Sequence, residues 1–193
     1  MTTDETFDWA LHFLIDGDTP RKGEKLWRGE QGKSVPRPSD PNPTMDGITQ
    51  QAYDRHRGEA DHSVYEMTPG ERDAIYFLDY WQPSGAGKLA AMDKPNLALC
   101  HFVTAVNTGL TPAAKMLQRA VRPAVGELLV DGKIGPKTLD ACLAADDHEA
   151  AVKYTGQMVR HYRAIAAGRP DLAENLPGWL LRTTALQREI GLV

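Results

Sequence analysis

Residues 95–109, PNLALCHFVTAVNTG, limit the possible folds more than any other stretch of the chain. Proline opens the run and glycine closes it, and between them Leu97, Leu99, Cys100, Phe102, Val103 and Val106 leave almost no polar face. Proline suits a first helical turn, where its missing N–H would have no intrahelical partner, and glycine readily adopts the backbone that ends a helix. A helix apolar on most sides is buried on most sides, so the other elements are expected to wrap around it. They read as helices too. Phe7, Ala10, Leu11 and Leu14 recur at helical spacing and predict a helix from about Thr6 to Ile15. A second is expected from about Asp46 to His56 on Ile48, Ala52 and Tyr53. Thr68-Pro69-Gly70-Glu71 is a capping box with proline at the first position, opening a helix that buries Ala74, Ile75, Leu78 and Trp81. Thr111-Pro112 opens another through Ala120, and helices at about 147–167 and 177–190 complete the chain. Strand patterns are absent apart from a short pairing expected between 31 and 44. The fold class is therefore mainly α.

Composition excludes several functions. The net charge of −4 provides no field to draw in nucleic acid. No apolar run approaches the roughly 20 residues needed to cross a bilayer. The six histidines form no His-x-x-x-His pair, and Cys100 and Cys142 lack the spacing of a metal or redox motif. No metal or cofactor is expected, and both cysteines read as small buried hydrophobes. The start, Met-Thr-Thr-Asp-Glu-Thr, is acidic where a secretory signal would be basic and then apolar, so a cytoplasmic, monomeric protein is expected.

Residues 16–44 are rich in glycine, proline and charge, and a stretch this long without periodicity inside a small domain is usually functional or disordered. Within it, Glu30 sits between Gly29 and Gly32, four prolines (36, 38, 41 and 43) stiffen the chain after it, and Asp40 and Thr44 lie among and just beyond them. Cleaving a glycosidic bond takes one carboxylic acid to protonate the leaving oxygen and a second polar group to place water or support positive charge. Glu30 is the candidate acid, with Asp40 and Thr44 as water-holding groups. A catalytic acid here would need an apolar wall, which Trp27 or Leu26 would supply.

This stretch resembles the active-site segment of the glycoside hydrolase family 108 N-acetylmuramidases of phages and prophages. There a Glu-Gly-Gly turn precedes Asp-Pro-Gly-Gly, a threonine and Gly-Ile-Thr; here the matching residues are Glu30-Gln31-Gly32, Asp40-Pro41-Asn42-Pro43, Thr44 and Gly47-Ile48-Thr49. Gln31, Asn42 and Pro43 stand where the family has glycines. The family helix that ends in the glutamate resembles Phe7–Ile15, and counting on from Phe7 without a gap places Asp18 at the acid position; the spacing to Asp40 favours Glu30. The resemblance implies a lysozyme-like helical domain with a small hairpin beside the cleft. It also brings in Tyr80-Trp81, from a helix ending in Tyr-Trp, and Asn107, from Ala-Val-Asn-x-Gly, as candidate substrate-binding residues beside Trp27. Each has a structural alternative: core packing for the two aromatics, a helix cap for Asn107.

The second half carries Leu117-Gln118-Arg119-Ala120 and then Val130-Asp131-Gly132-Lys133-Ile134-Gly135-Pro136-Lys137-Thr138, which resembles the predicted peptidoglycan-binding segment of these muramidases. Gly178-Trp179-Leu180 and Arg182 resemble the family's terminal Gly-Trp-x-x-Arg, expected to pack the tail onto the body. The resemblance thus implies a catalytic part over 1–110 and a peptidoglycan-binding part over 111–193, an N-acetylmuramidase cutting the β-1,4 bond after N-acetylmuramic acid, and peptidoglycan as the partner. Without a signal peptide, holin-type release or injection would deliver it to the wall. Two alternatives stay open: an inactive peptidoglycan-binding or phage structural protein, and a lytic transglycosylase.

Overall fold

The computed structural model describes residues 1–17, 27–34 and 42–193. Helix α1 (Thr3–Asp16) begins earlier than its apolar spacing suggests, because Thr2 and Glu5 form a reciprocal capping box: the Glu5 N–H donates to Thr2 Oγ1 at 3.2 Å and the Thr2 N–H to Glu5 Oε2 at 2.7 Å. A small antiparallel sheet comes next, β1 (Lys33–Ser34), β2 (Thr44–Met45) and β3 (Ile48–Thr49), with Lys33 opposite Met45, Ser34 opposite Thr44, and Thr44 opposite Thr49. The β1–β2 pairing is the expected hairpin; β3 is an addition to it. Asp46 and Gly47 make its second turn with φ of 48° and 77°. A two-residue turn with both φ positive matches the twist of the strands it joins, which is why Asp-Gly is favoured there. Helix α2 (Gln50–Arg57) therefore starts four residues later than expected, capped by Thr49.

Helix α3 (Pro69–Tyr76) has the predicted Thr68/Glu71 capping box and runs into a π-helical turn at Phe77–Trp81 before α4 (Gln82–Ser84) and α5 (Ala86–Ala91). The widened turn directs Phe77 and Trp81 inward and leaves Leu78 half exposed, contrary to the burial that regular helical spacing implied. Helix α6 (Pro95–Thr108) is the central helix: Leu97 to Ala105 are all buried. After Gly109, α7 (Leu110–Val121) starts one residue before the expected Thr111-Pro112, and α8 (Pro136–Ala144), α9 (Asp147–Gly168) and α10 (Leu176–Glu189) complete the chain. Helix α9 packs on α6, α7 and α10. A single buried cluster runs from Ala10 to Ile190 without a break at residue 110. Cys100 and Cys142 are buried free thiols within it, and burial pushes the Cys142 thiol up to about 12. Among the described residues no helix is long and apolar enough to cross a membrane.

Polar side chains tie the early helices to the late ones. Both carboxylate oxygens of Asp147, at the start of α9, accept from the first free amides of α6, Asn96 and Leu97, each at 3.0 Å, and the Lys94 ammonium donates to the Ala145 carbonyl at 2.6 Å. His101, fully buried on α6, lies 2.9 Å from the Ser84 carbonyl through Nε2 and 3.1 Å from the Tyr154 hydroxyl through Nδ1.

Burial pushes the pKa of His101 down to about 4 from its ordinary 6.5. The native state thus excludes a proton that the unfolded chain accepts, so stability is complete above about pH 6.5 and falls as pH drops towards 4. The accumulated loss is about 3 kcal/mol at 1.36 kcal/mol per unit. Thermal melts from pH 7.5 to 4 are expected to show a decline that His101→Gln flattens, after correction for its lower stability at neutral pH; equal slopes would remove His101 as the cause.

Candidate active site

The candidate acid is placed by the end of α1. A helix terminus leaves its last carbonyls without intrahelical partners, and here a returning strand of chain takes two of them: the Glu30 N–H donates to the Leu14 carbonyl at 2.9 Å and the Gln31 N–H to the Ile15 carbonyl at 3.1 Å. The approach is backbone on backbone. A Cβ on Gly29 would lie 2.1 Å from the Ile15 oxygen, and one on Gly17 would lie 2.3 Å from both the Trp27 oxygen and the Gly29 nitrogen. Chain departing at Gly17 thus comes back at Trp27 to the same point, and Glu30 occupies the place just beyond the helix. Asp18, the alternative acid, lies outside the described residues.

The hairpin turn forms the facing wall. The Asp46 carboxylate is buried, accepting from the Gly32 N–H at 2.7 Å and from Arg72 Nη1 at 3.2 Å, while the Tyr76 hydroxyl donates to the Asp46 carbonyl at 2.6 Å. Burial and then the nearby Glu30 charge push the Tyr76 phenol well above its ordinary range, so it stays a neutral donor. Gly47 leaves room for the acid: a Cβ there would sit 3.0 Å from Glu30 Cβ and 2.8 Å from the Tyr76 oxygen. Glu30, Gly32, Ser34, Thr44, Gly47 and Thr49 are among the residues lining an open cleft of about 440 Å³. Glu30 and Thr44 therefore face one space. Asp40 lies outside the described residues.

One partner of the acid comes from far along the chain. Arg182 on α10 donates through Nη2 to Glu30 Oε1, with the glutamate side chain 25% and the arginine 12% exposed. The guanidinium carbon stands 5.1 Å over the Trp27 ring, and Trp27 packs on Phe13. Behind it, Tyr162 stacks on Trp179 at 5.3 Å and accepts from Asn107 Nδ2 at 2.8 Å. The sequence assigns Arg182 to tail packing and does not single out Asp46, Arg72, Tyr76 or Tyr162; the one available sign is a charged residue on an otherwise apolar stretch of the last helix.

The remaining substrate-binding candidates are placed differently from a sugar platform. Trp27 is a buried support under the arginine. Trp81 is a core residue, 1% exposed, between Phe7 and Phe102. Tyr80 is partly buried beside Tyr76. The amide of Asn107 is engaged by Tyr162. The Tyr80-Trp81 and Asn107 motifs thus hold the scaffold. Among the described residues, the cation-sized grouping of ligand-type side chains is Glu59, Asp61 and His62, all exposed and none lining the cleft.

Residues 26–109 match the family model described as glycosyl hydrolase 108, and residues 112–184 match that described as predicted peptidoglycan domain. No curated protein matches the chain. Among solved structures, that of Brucella abortus SagA is similar with a TM-score of 0.73 and 23% identity, covering 97% of this chain and 94% of that one. At that identity the likeness is one of fold, the mainly helical, lysozyme-like arrangement.

The glycine contact sets a stability test. Gly29→Ala forces both a φ of 71° on a side-chain-bearing residue and a clash with the Ile15 carbonyl, and is expected to cost more than the roughly 1–3 kcal/mol of backbone strain alone. Gly32→Ala, with φ of 95° but open space around it, should cost only that strain. Urea melts of the two variants should rank Gly29→Ala clearly below Gly32→Ala; the reverse order would refute the close approach.

Proposed function

Since the chain is a glycoside hydrolase in which a glycosyl hydrolase 108 domain precedes a predicted peptidoglycan domain, we propose that it is an N-acetylmuramidase. It would cut the β-1,4 bond between N-acetylmuramic acid and N-acetylglucosamine in peptidoglycan. The observation that carries this reading is the lodging of Glu30 directly beyond α1, in one cleft with Thr44. Glu30 protonates the glycosidic oxygen as the bond to the anomeric carbon breaks; a water attacks that carbon and passes its proton to the Asp40 carboxylate, leaving a reducing muramic acid end. Thr44 orients the water, together with Asp40. A water held on the opposite face of the sugar from the acid corresponds to inversion. The wall is reached after holin-type release or injection.

Digestion of purified peptidoglycan with product masses tests this. Wild type and Asp18→Asn are expected to release reducing muramic acid ends, while Glu30→Gln loses at least about a hundredfold, the usual lower range for removing a general acid. Thr44→Val should lose less. Activity lost in Asp18→Asn and kept in Glu30→Gln would move the acid; 1,6-anhydro products would make the enzyme a lytic transglycosylase; wall binding without new ends would make it a binding protein.

The wall contact of the second half is assigned to the loop between α7 and α8. Gln118, buried on α7, holds that loop: its Nε2 donates to Asp131 Oδ1 at 2.8 Å, to the Lys133 carbonyl at 3.1 Å and to Thr138 Oγ1 at 3.2 Å, and its Oε1 accepts from the Gly132 N–H at 2.9 Å. The rigid loop borders a cleft of about 520 Å³ with Leu128, Leu129 and Pro136 on its apolar side and exposed Lys133 and Lys137 at its rim. Methyl groups and carboxylates, the chemistry of peptidoglycan stem peptides, complement that lining. Lys133→Glu/Lys137→Glu is expected to weaken co-sedimentation with purified wall about tenfold, in keeping with two rim charges reversed at up to about 1 kcal/mol each. Unchanged sedimentation would place the contact elsewhere.

A further inference from the structure

We infer that Arg182 is the positioning residue of the candidate acid, so that the peptidoglycan half completes the catalytic centre of the hydrolase half. The inference rests on Glu30 being the acid. Glu30 belongs to the segment matching glycosyl hydrolase 108 and Arg182 to the segment matching the peptidoglycan domain, and the ion pair joins positions 152 residues apart. An arginine that merely fastened the tail would find better places than this one. Its Nε is buried with no hydrogen-bond partner, and both charges are largely withdrawn from water. A buried ion pair seldom repays its desolvation, and an orphaned donor adds to the cost. What the arrangement does provide is a fixed carboxyl.

Three contacts hold the guanidinium itself. Its face lies on the Trp27 ring, Nη2 reaches Glu30, and it is close enough to the Tyr162 hydroxyl oxygen to donate a hydrogen bond to it. Tyr162 is in turn clamped by Trp179 and Asn107. The planar fork is needed for this: a stacked face and donors in two directions are what lysine lacks.

Steady-state kinetics on solubilised, uncrosslinked glycan strands, with thermal melts on the same full-length samples, test the inference. Arg182→Met keeps the apolar stem over Trp27 and removes the donors and charge. It is expected to melt as a folded protein, with kcat down about a hundredfold, the cost of misplacing a reacting group by about 1 Å, and KM changed less than about threefold. Arg182→Lys should recover part of the lost kcat, and it decides the matter should Arg182→Met not fold. A folded variant of either kind with wild-type kcat would overturn the inference, as would a loss confined to KM or one that only follows the folded fraction. Wild type without product, or an active Glu30→Gln, would instead overturn the reading of function beneath it.

Discussion

Everything at the candidate site depends on how α1 ends. A helix that stops inside a protein must find donors for its last carbonyls, each buried and unpaired group costing about 1–3 kcal/mol. In this chain the donors are the amides of Glu30 and Gln31, so the satisfaction of the helix and the placement of the candidate acid are one event. Two glycines make it possible by letting backbones touch. Gly17 meets Trp27 and Gly29 at the helix end, and that contact places the candidate acid there.

That contact also explains what sequence could and could not reveal. The central helix, its proline and glycine boundaries and the Thr68 capping box are local devices, written in adjacent residues, and they stand where their spacing puts them. Gly29 and Gly32 marked the turn around Glu30 for the same reason. The second hairpin turn escaped because Asp46-Gly47 also reads as a helix entry, and only the pairing of Thr44 with Thr49 and of Met45 with Ile48 selects the turn. The exposure of Leu78 escaped because a π-helical turn breaks the 3.6-residue period on which burial was counted. Arg182 escaped for a deeper reason: its partner is 152 positions away, and no periodicity relates them.

The two halves share more than that pair. Asp147 finishes the first turn of α6 from the start of α9, doing for a distant helix what an N-cap residue ordinarily does for its own. His101 joins the end of α4 to α9 through Ser84 and Tyr154, and Tyr154 in turn donates to the Ala113 carbonyl on α7 at 3.1 Å. These are buried polar contacts with few substitutes, and such contacts fix relative placement better than apolar packing does, since a hydrogen bond fails within a fraction of an ångström where methyl groups merely slide. The apolar cluster gives the molecule its cohesion; the polar links set the register between the halves.

Register is what the candidate acid on one half and the arginine proposed to position it from the other require. A glycoside hydrolase gains its rate from groups already in place when the bond begins to break, and placement to within a fraction of an ångström across a boundary near residue 110 cannot come from a tethered module that docks loosely. The second half therefore serves two physical roles with different tolerances. The α7–α8 loop, fixed by Gln118 and facing solvent, can vary its exposed residues with the wall it is proposed to meet. The α9–α10 face, with Tyr162, Trp179 and Arg182, cannot vary without moving Glu30. Substitution in the first should change which surfaces the protein reaches, and substitution in the second should change how fast it acts once there.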